Sequence, residues 1–428
     1  MGRYIALGSV VFTLFSGCKF APPDDSNTSD GPIEIDAPLL PDASACTGVS
    51  AECTTADTLR TCSGDLATPV DTGCTWGCLS AGGAHCGTLD PSGGGVVLAD
   101  LSAVGIGDVT LSGHTIDTDA GTITPVIAGF TFLRGNNNVA IFHFNSLSIT
   151  GDVLVTGAAP LALVAEGAIA VNALIDARGP CRAGSGRIAG PGGFDGGQNN
   201  SSAGGQGGGA GSNGSGDAGG GGGYGGVGGV GTGNQAGGTA FGDPQITILV
   251  GGGGGGGGHN DNGGGGGGGG AVQLVSNLSI TLGVAPAGIN GGGCGGSQSN
   301  GGGNDGGGGG GAGGTILLEA PSISVEGSLA VNGGGGGGRN NGSSGNGGRL
   351  DRTPAAGGGA GGGGGAGAGT IDGAPGGGGG SGGAGGGSVG RIRINTRSGN
   401  VTLMSTASLS PNFTDTGTTA SQAVATVH

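Results

Sequence analysis

Nine cysteines carry the chemistry most plainly written in this 428-residue chain. Six of them, Cys46, Cys53, Cys62, Cys74, Cys78 and Cys86, crowd into one short stretch. Cys181 and Cys294 stand far apart, and Cys18 is left over near the start. In an oxidising compartment the six read as a three-disulfide module over residues 46–87, too small to hold a core unaided. Six cysteines allow 15 connectivities, and spacing selects none of them. Cys74 and Cys78 with His85-Cys86 do not have zinc-site spacing. Trp76, the only Trp, lies between two of these cysteines. It suits packing on a disulfide better than stacking on a sugar.

Other reactive residue types fall into no catalytic pattern. The five histidines, His85, His114, His143, His259 and His428, sit in no nucleophile context. Asp176, Glu166, Glu319 and Glu326 are the carboxylates near the central strand candidates. Glu319 and Glu326 are close enough in sequence to be weighed as a pair, and solvated side chains are the expectation for them. Residues 259–262 (His-Asn-Asp-Asn) and Asn304-Asp305 could offer oxygen ligands to a hard cation, but fit turns better. The many GxGxxG matches lack a strand before and a helix after. No catalytic, metal or cofactor site is expected.

The first eighteen residues have the form of an export signal, with Arg3 followed by an apolar run from Ile5 to Phe15. Phe15-Ser16-Gly17-Cys18 resembles the lipobox of bacterial lipoproteins, with Phe15 in place of the usual Leu. That resemblance implies cleavage before Cys18, a diacylglycerol on its sulfur and a lipid bilayer as partner. With Lys19 rather than Asp next, it also implies the outer membrane. Residues 19–45 are acidic and Pro-rich, and read as a tether that cannot bury enough surface to order itself.

Net charge is −15 with a single lysine, Lys19. No basic stripe exists to hold phosphates, so nucleic acid is not expected as a partner. A neutral glycan or a surface protein suits the balance better. Arg391, Arg393 and Arg397 read as keeping the last segment soluble.

The elements that must carry these residues are short, apolar and repetitive. Residues 161–177 hold three strand candidates, Leu161–Ala165, Ala168–Val171 and Leu174–Ala177. The triplet recurs at 271–290, 315–332 and within 389–428, with side chains alternating as in a sheet with one buried face. Three strands per repeat predict an all-β fold, a parallel β-helix or solenoid. Asp176, Asn290 and Asn332 close the third strand of three units and predict a stacked corner ladder. Residues 96–177 are β-rich, and the part before Leu161 repeats less cleanly. Its Phe130, Phe132, Phe142 and Phe144 predict a core or an end cap.

Of the 122 glycines, most fall in blocks at 178–270, 291–314 and 333–388. Each block begins just past a third strand, so the inserts are predicted to leave from one corner. Cys181 and Cys294 lie shortly after Asp176 and Asn290, which predicts neighbouring layers and a Cys181–Cys294 bridge. Because glycine loses the most entropy on ordering, flexible hydrated loops are the expectation for the blocks. The competing state is extended three-fold polyglycine helices sharing backbone hydrogen bonds.

Anchor, tether, cysteine module and glycine-interrupted repeat together resemble the glycine-rich surface lipoproteins of myxobacteria and their relatives. That resemblance implies location more than activity. The functional expectation is a non-catalytic cell-surface lipoprotein with an adhesive, matrix or envelope-structural role. The alternative is a carbohydrate-active β-helix enzyme, a lyase or hydrolase. Thr122-Ile123-Thr124 is the only hint of an ice-type face, and it does not recur as a ladder in the sequence.

Overall fold

The computed structural model describes residues 46, 48–65, 67–259, 263–300, 305–339, 342–367, 369–377 and 382–428. Cys18, the tether, residues 260–262 and Asn304 lie outside them. Cys46–His428 forms one compact unit. Within the described residues no helix is long and apolar enough to cross a membrane.

The cysteine stretch folds as two small antiparallel sheets. β1 (Val49–Thr55), β2 (Thr58–Ser63) and β3 (Val70–Gly73) form one, and β4 (Cys78–Leu79) pairs with β5 (His85–Cys86) in the other. Their side chains are largely exposed, so apolar burial cannot hold them. Bridges Cys46–Cys62, Cys53–Cys78 and Cys74–Cys86 take that role.

Outside the glycine blocks the described remainder is nearly all β, in three sheets, and the described residues hold three short 3-10 turns. After β6 (Asp108–Leu111), β7 (Thr115–Asp117), β8 (Thr122–Thr124) and β9 (Phe130–Arg134), the chain settles into triplets. These are β10 (Ala140–Phe144), β11 (Ser146–Ile149) and β12 (Val153–Thr156), then β13 (Leu161–Ala165), β14 (Ile169–Val171) and β15 (Leu174–Asp176). Next come β16 (Ala271–Ser276), β17 (Ser279–Leu282) and β18 (Gly288–Asn290), and β19 (Thr315–Ala320), β20 (Ser322–Val325) and β21 (Ser328–Ala330). The last are β22 (Arg391–Thr396), β23 (Thr402–Leu403) and β24 (Ser408–Ser410), followed by β25 (Ala420–Val424).

Each triplet gives one strand to each sheet. The first sheet runs β25-β22-β19-β16-β13-β10-β9, the second β23-β20-β17-β14-β11-β6, and the third β24-β21-β18-β15-β12-β7-β8. All these pairings are parallel except β9 with β10 and β8 with β7, which fold back antiparallel at one end. The fold-back covers two open strand edges, which blunts them against pairing with another chain. The triplet β10–β12 is one tier more than the sequence repeat suggested. Phe142 and Phe144 stand in it where later tiers carry Leu and Ala, which disguised the repeat. Phe142 and Phe144 are fully buried, whereas Phe132 is 37% exposed, so the aromatic cluster straddles core and surface.

Inward residues stack in register with their own kind. Phe142, Leu163, Leu274, Leu318 and Ile394 form one row, with every member fully buried. Leu147, Ile169, Ile280 and Ile323 form another, and Ile175, Ile289, Leu329 and Leu409 a third. Burying each such side chain contributes about 1.5–3 kcal/mol. The stack therefore has a continuous apolar centre between the three sheets.

A second apolar cluster covers the outside of the first sheet. Ile141, Val164, Val275 and Leu317 point outward from it, and Trp76, Leu89, Val96, Ile246 and Leu249 lie over them. Trp76 is buried, and its Nε1–H donates to Asn277 Oδ1 at 3.4 Å. It is packing surface, not an exposed sugar platform.

Candidate functional site

All three glycine blocks leave after a strand of the third sheet and return to a strand of the first. Their described residues meet over a shared corner in one hydrogen-bonded arrangement, where flexible loops were expected. The N–H groups of Gly252, Gly255 and Gly258 donate to the carbonyls of Gly269, Gly266 and Gly263 at 2.9, 2.8 and 2.7 Å. Gly253 and Gly256 donate to Gly223 and Gly220, and Gly251 and Gly257 to Gly192 and Ser201. Three successive residues thus face three different neighbours, and the pattern returns every third residue. That is the periodicity of an extended helix with three residues per turn, whose backbone groups all point outward.

The blocks interlock. From the second, Gly307, Gly310 and Gly313 donate to the carbonyls of Gly382, Gly385 and Ser388 in the third, at 3.1, 2.9 and 2.9 Å. Gly309 and Ala312 donate to Gly256 and Gly253 in the first, at 2.8 and 2.9 Å. Gly334 and Gly337 return bonds to Gly311 and Gly308, both at 2.8 Å. Close approach is why the positions must be glycine. A Cβ on Gly309 would collide with the Gly220 carbonyl, and one on Gly256 with that of Ala210. Entropy loss was the objection to order. Backbone bonds shared among three blocks offset it, since a buried N–H left unmade is costly.

Cys181 and Cys294 lie within this lattice, both fully buried, bonded to each other with Cα atoms 4.6 Å apart. Cys294 N–H also donates to Gly267 O at 2.9 Å and its carbonyl accepts from Gly311. The bridge joins the root of the first block to the root of the second. In the chain-entropy picture, closing a loop of this size contributes roughly 4–5 kcal/mol.

The Asx ladder is shorter than expected. Asp176 pairs with Asn290, but Asn290 pairs with Ala330, which leaves Asn332 two residues past the register. Asn332 is buried elsewhere, donating to the carbonyls of Arg349 and Asp351 and accepting from Ser410 Oγ at 2.6 Å.

Several charged residues are not where the sequence suggested. Glu319 is buried, because residues 89–96 and 246–249 cover its sheet. Its carboxylate accepts from Ser92 N–H at 3.0 Å, Asn395 Nδ2 at 2.9 Å and Gln273 Nε2 at 2.7 Å. Burial raises its pKa against the pull of those donors. Arg391 is buried too, its guanidinium 5.4 Å from the centre of the Tyr224 ring. The Tyr224 hydroxyl bonds Thr315 Oγ1 at 2.7 Å, and burial pushes the phenol up to about 12. Arg393 is held by Asn395 Oδ1 and Ser421 Oγ, and Arg397 contacts Asp57 and the Ala56 carbonyl. These arginines join segments rather than keep an end soluble.

Glu166 is half-exposed and lies 2.9 Å from Nε2 of the buried His143, whose Nδ1 lies 3.2 Å from the Ser102 carbonyl. Asn277 Nδ2 donates to the same carboxylate at 2.8 Å. This network fastens the segment around Ser102 to the sheet. Glu326 is half-buried beyond β20. His259 Nδ1 and Asp305 Oδ1 are 3.9 Å apart.

A hydroxyl row does recur, though not at Thr122–Thr124. Across the second sheet Thr110 and Ser148, then Thr281, Ser324 and Thr402, stand in register on the outer face, with Ala170 interrupting the hydroxyls between Ser148 and Thr281. The row was invisible in sequence because its members are widely spaced and only strand pairing aligns them. Compared with protein-family models, with curated proteins and with solved structures, the chain matches none.

Proposed function

We propose that this chain is a non-catalytic, surface-displayed lipoprotein with an adhesive or matrix-forming role, built as a parallel β-solenoid that carries a glycine lattice. The observation that carries the reading is the interlocking of the three glycine blocks into one hydrogen-bonded body at one corner. A solenoid admits such inserts because a loop at a corner disturbs no strand pairing. The lattice segments are buried, and the turns between them expose uncharged residues such as Gln198, Ser201, Ser202, Val227 and Val230, which suits contact with an uncharged surface more than chemistry on a substrate. Burial of Glu319 supports the non-catalytic reading, since an acid held by three donors away from solvent cannot serve a bound substrate. The lipid anchor rests on Cys18 and its preceding residues.

Three measurements test the reading. Peptide-resolved amide exchange on the full chain is expected to show protection across 251–258, 263–270 and 306–314. Rapid exchange there would remove the lattice and the contact face with it. Palmitate labelling in a Gram-negative host is expected to mark the wild type and not Cys18→Ala. Release of sugars from a glycan panel by the purified protein would overturn the non-catalytic assignment.

A further inference from the structure

The outer face of the third sheet is covered over its later tiers and open over its earlier ones. Above β18 and β21 lie residues 348–351 of the third glycine block. Asn332 Nδ2 donates to the carbonyls of Arg349 and Asp351 at 2.8 and 2.6 Å, and a Cβ on Gly288 would lie 3.3 Å from Leu350. Over β7, β12 and β15 a groove of about 530 Å³ remains. Arg178 stands at its edge, with one guanidinium nitrogen 3.4 Å from the Gly348 carbonyl. That volume is within the roughly 300–1,000 Å³ typical of ligand sites.

The lining is mixed in a specific way. Leu154 and Leu174 are apolar. Ser112 N–H donates to His114 Nδ1 at 2.8 Å, so the neutral ring carries its proton on Nε2 and is a donor there. Asp152 Oδ1 accepts the Leu174 N–H at 3.2 Å, which leaves Oδ2 as an acceptor. Arg178 holds Asp176 by two bonds, at 2.9 and 2.8 Å, so these two charges largely cancel. Donor, acceptor and apolar patches lie side by side, with one uncompensated negative charge at Asp152.

We infer that this groove binds a non-acidic sugar unit of a surface glycan. Hydroxyls that both donate and accept match the Asp152 carboxylate and the His114 ring, and the C–H faces of a pyranose match Leu154 and Leu174. A uronic acid or a phosphate would meet Asp152 while Arg178, the cation lining the groove, is already held by Asp176, whereas a neutral or amino sugar is accommodated. The inference deepens the adhesive reading above and rests on it for its biological meaning.

The test uses the full chain in detergent against immobilised short oligosaccharides of three kinds: neutral, amino and uronic. Neutral or amino members are expected to bind and uronic ones not to. Asp152→Asn keeps an oxygen for the Leu174 N–H but removes the charge, and should weaken binding at least tenfold. Leu154→Trp fills the groove and should abolish binding. Thr281→Val, on the other sheet, should leave it unchanged, and the intact Cys181–Cys294 bridge reports folding of every variant. Undiminished binding in both groove variants, or binding to uronic members alone, overturns the groove site. Binding by no member of the panel also overturns it, while retention of displaying cells on native matrix would still uphold adhesion. Loss of that retention in the wild type would instead sink the adhesive reading.

Discussion

The stack of sheets and the glycine lattice solve one problem by opposite means. Both pack extended chain against extended chain. In the sheets, rows such as Leu163, Leu274, Leu318 and Ile394 fill the centre with side chains while the strands pair through their backbones. In the lattice almost no side chains exist, and backbone bonds repeating every third residue replace them. A side-chain core tolerates a small deletion by partial collapse. A side-chain-free core has nothing to move out of the way, so addition is its weak point. The difference teaches that glycine here is a packing residue, selected for what it lacks.

Five experiments break or sharpen that contrast. Gly309→Leu puts a side chain onto the Gly220 carbonyl and should cost more than about 5 kcal/mol, or prevent folding. Gly264→Ala, whose Cβ would lie 3.8 Å from the Gly197 carbonyl, should cost less than about 1 kcal/mol. Equal losses by denaturant melts would mean the lattice is not close-packed.

Next in size, Cys181→Ser with Cys294→Ser should destabilise by roughly 4 kcal/mol. Exchange should rise around 181–186 and 291–297 before it rises in β16 or β19. Protection lost uniformly would mean that lattice and sheets unfold as one unit. Leu274→Ala opens a cavity in the sheet core and should cost about 3 kcal/mol with lattice protection retained.

The smallest effects are electrostatic. Burial raises the Glu319 pKa, so the folded protein holds that proton more tightly than the unfolded chain does. Its contribution is fully present below the ordinary glutamate value near 4.3, and is lost as pH rises through the raised value. Glu319→Gln should flatten that part of a stability–pH curve measured by denaturant, and an unchanged slope would refute the burial. Tyr224 behaves alike at the alkaline end. Its stabilising share is present below the usual tyrosine value near 10, and fades as pH rises through about 12. With only two tyrosines in the chain, Tyr4 and Tyr224, absorbance titration should resolve a late transition that Tyr224→Phe removes.

Much of the strand order was legible because alternation of small or polar with apolar residues survives in each triplet. The strands of Ala140–Thr156 were legible, but bulky Phe142 and Phe144 broke their likeness to the other triplets, so they were not matched to the repeat. The buried state of Glu319 and Arg391 was not legible. Their cover comes from residues 89–96 and 241–249, distant in sequence, and nothing local marks an outward strand position as covered. The groove under Arg178 is likewise a gap left by residues 348–351, which no motif announces.

By itself the sequence determined an all-β chain of short repeated strands, a cysteine-rich module before it, and glycine excursions rooted at one kind of position. Those follow from local periodicity, which each segment carries without reference to the others. Tertiary structure alone decided that the excursions order. Glycine has no side chain to encode a partner, and its backbone bonds become favourable only when three blocks arrive at one corner together. It also decided which outward residues are buried and which remain open to a ligand, because covering a face depends on where distant segments come to rest.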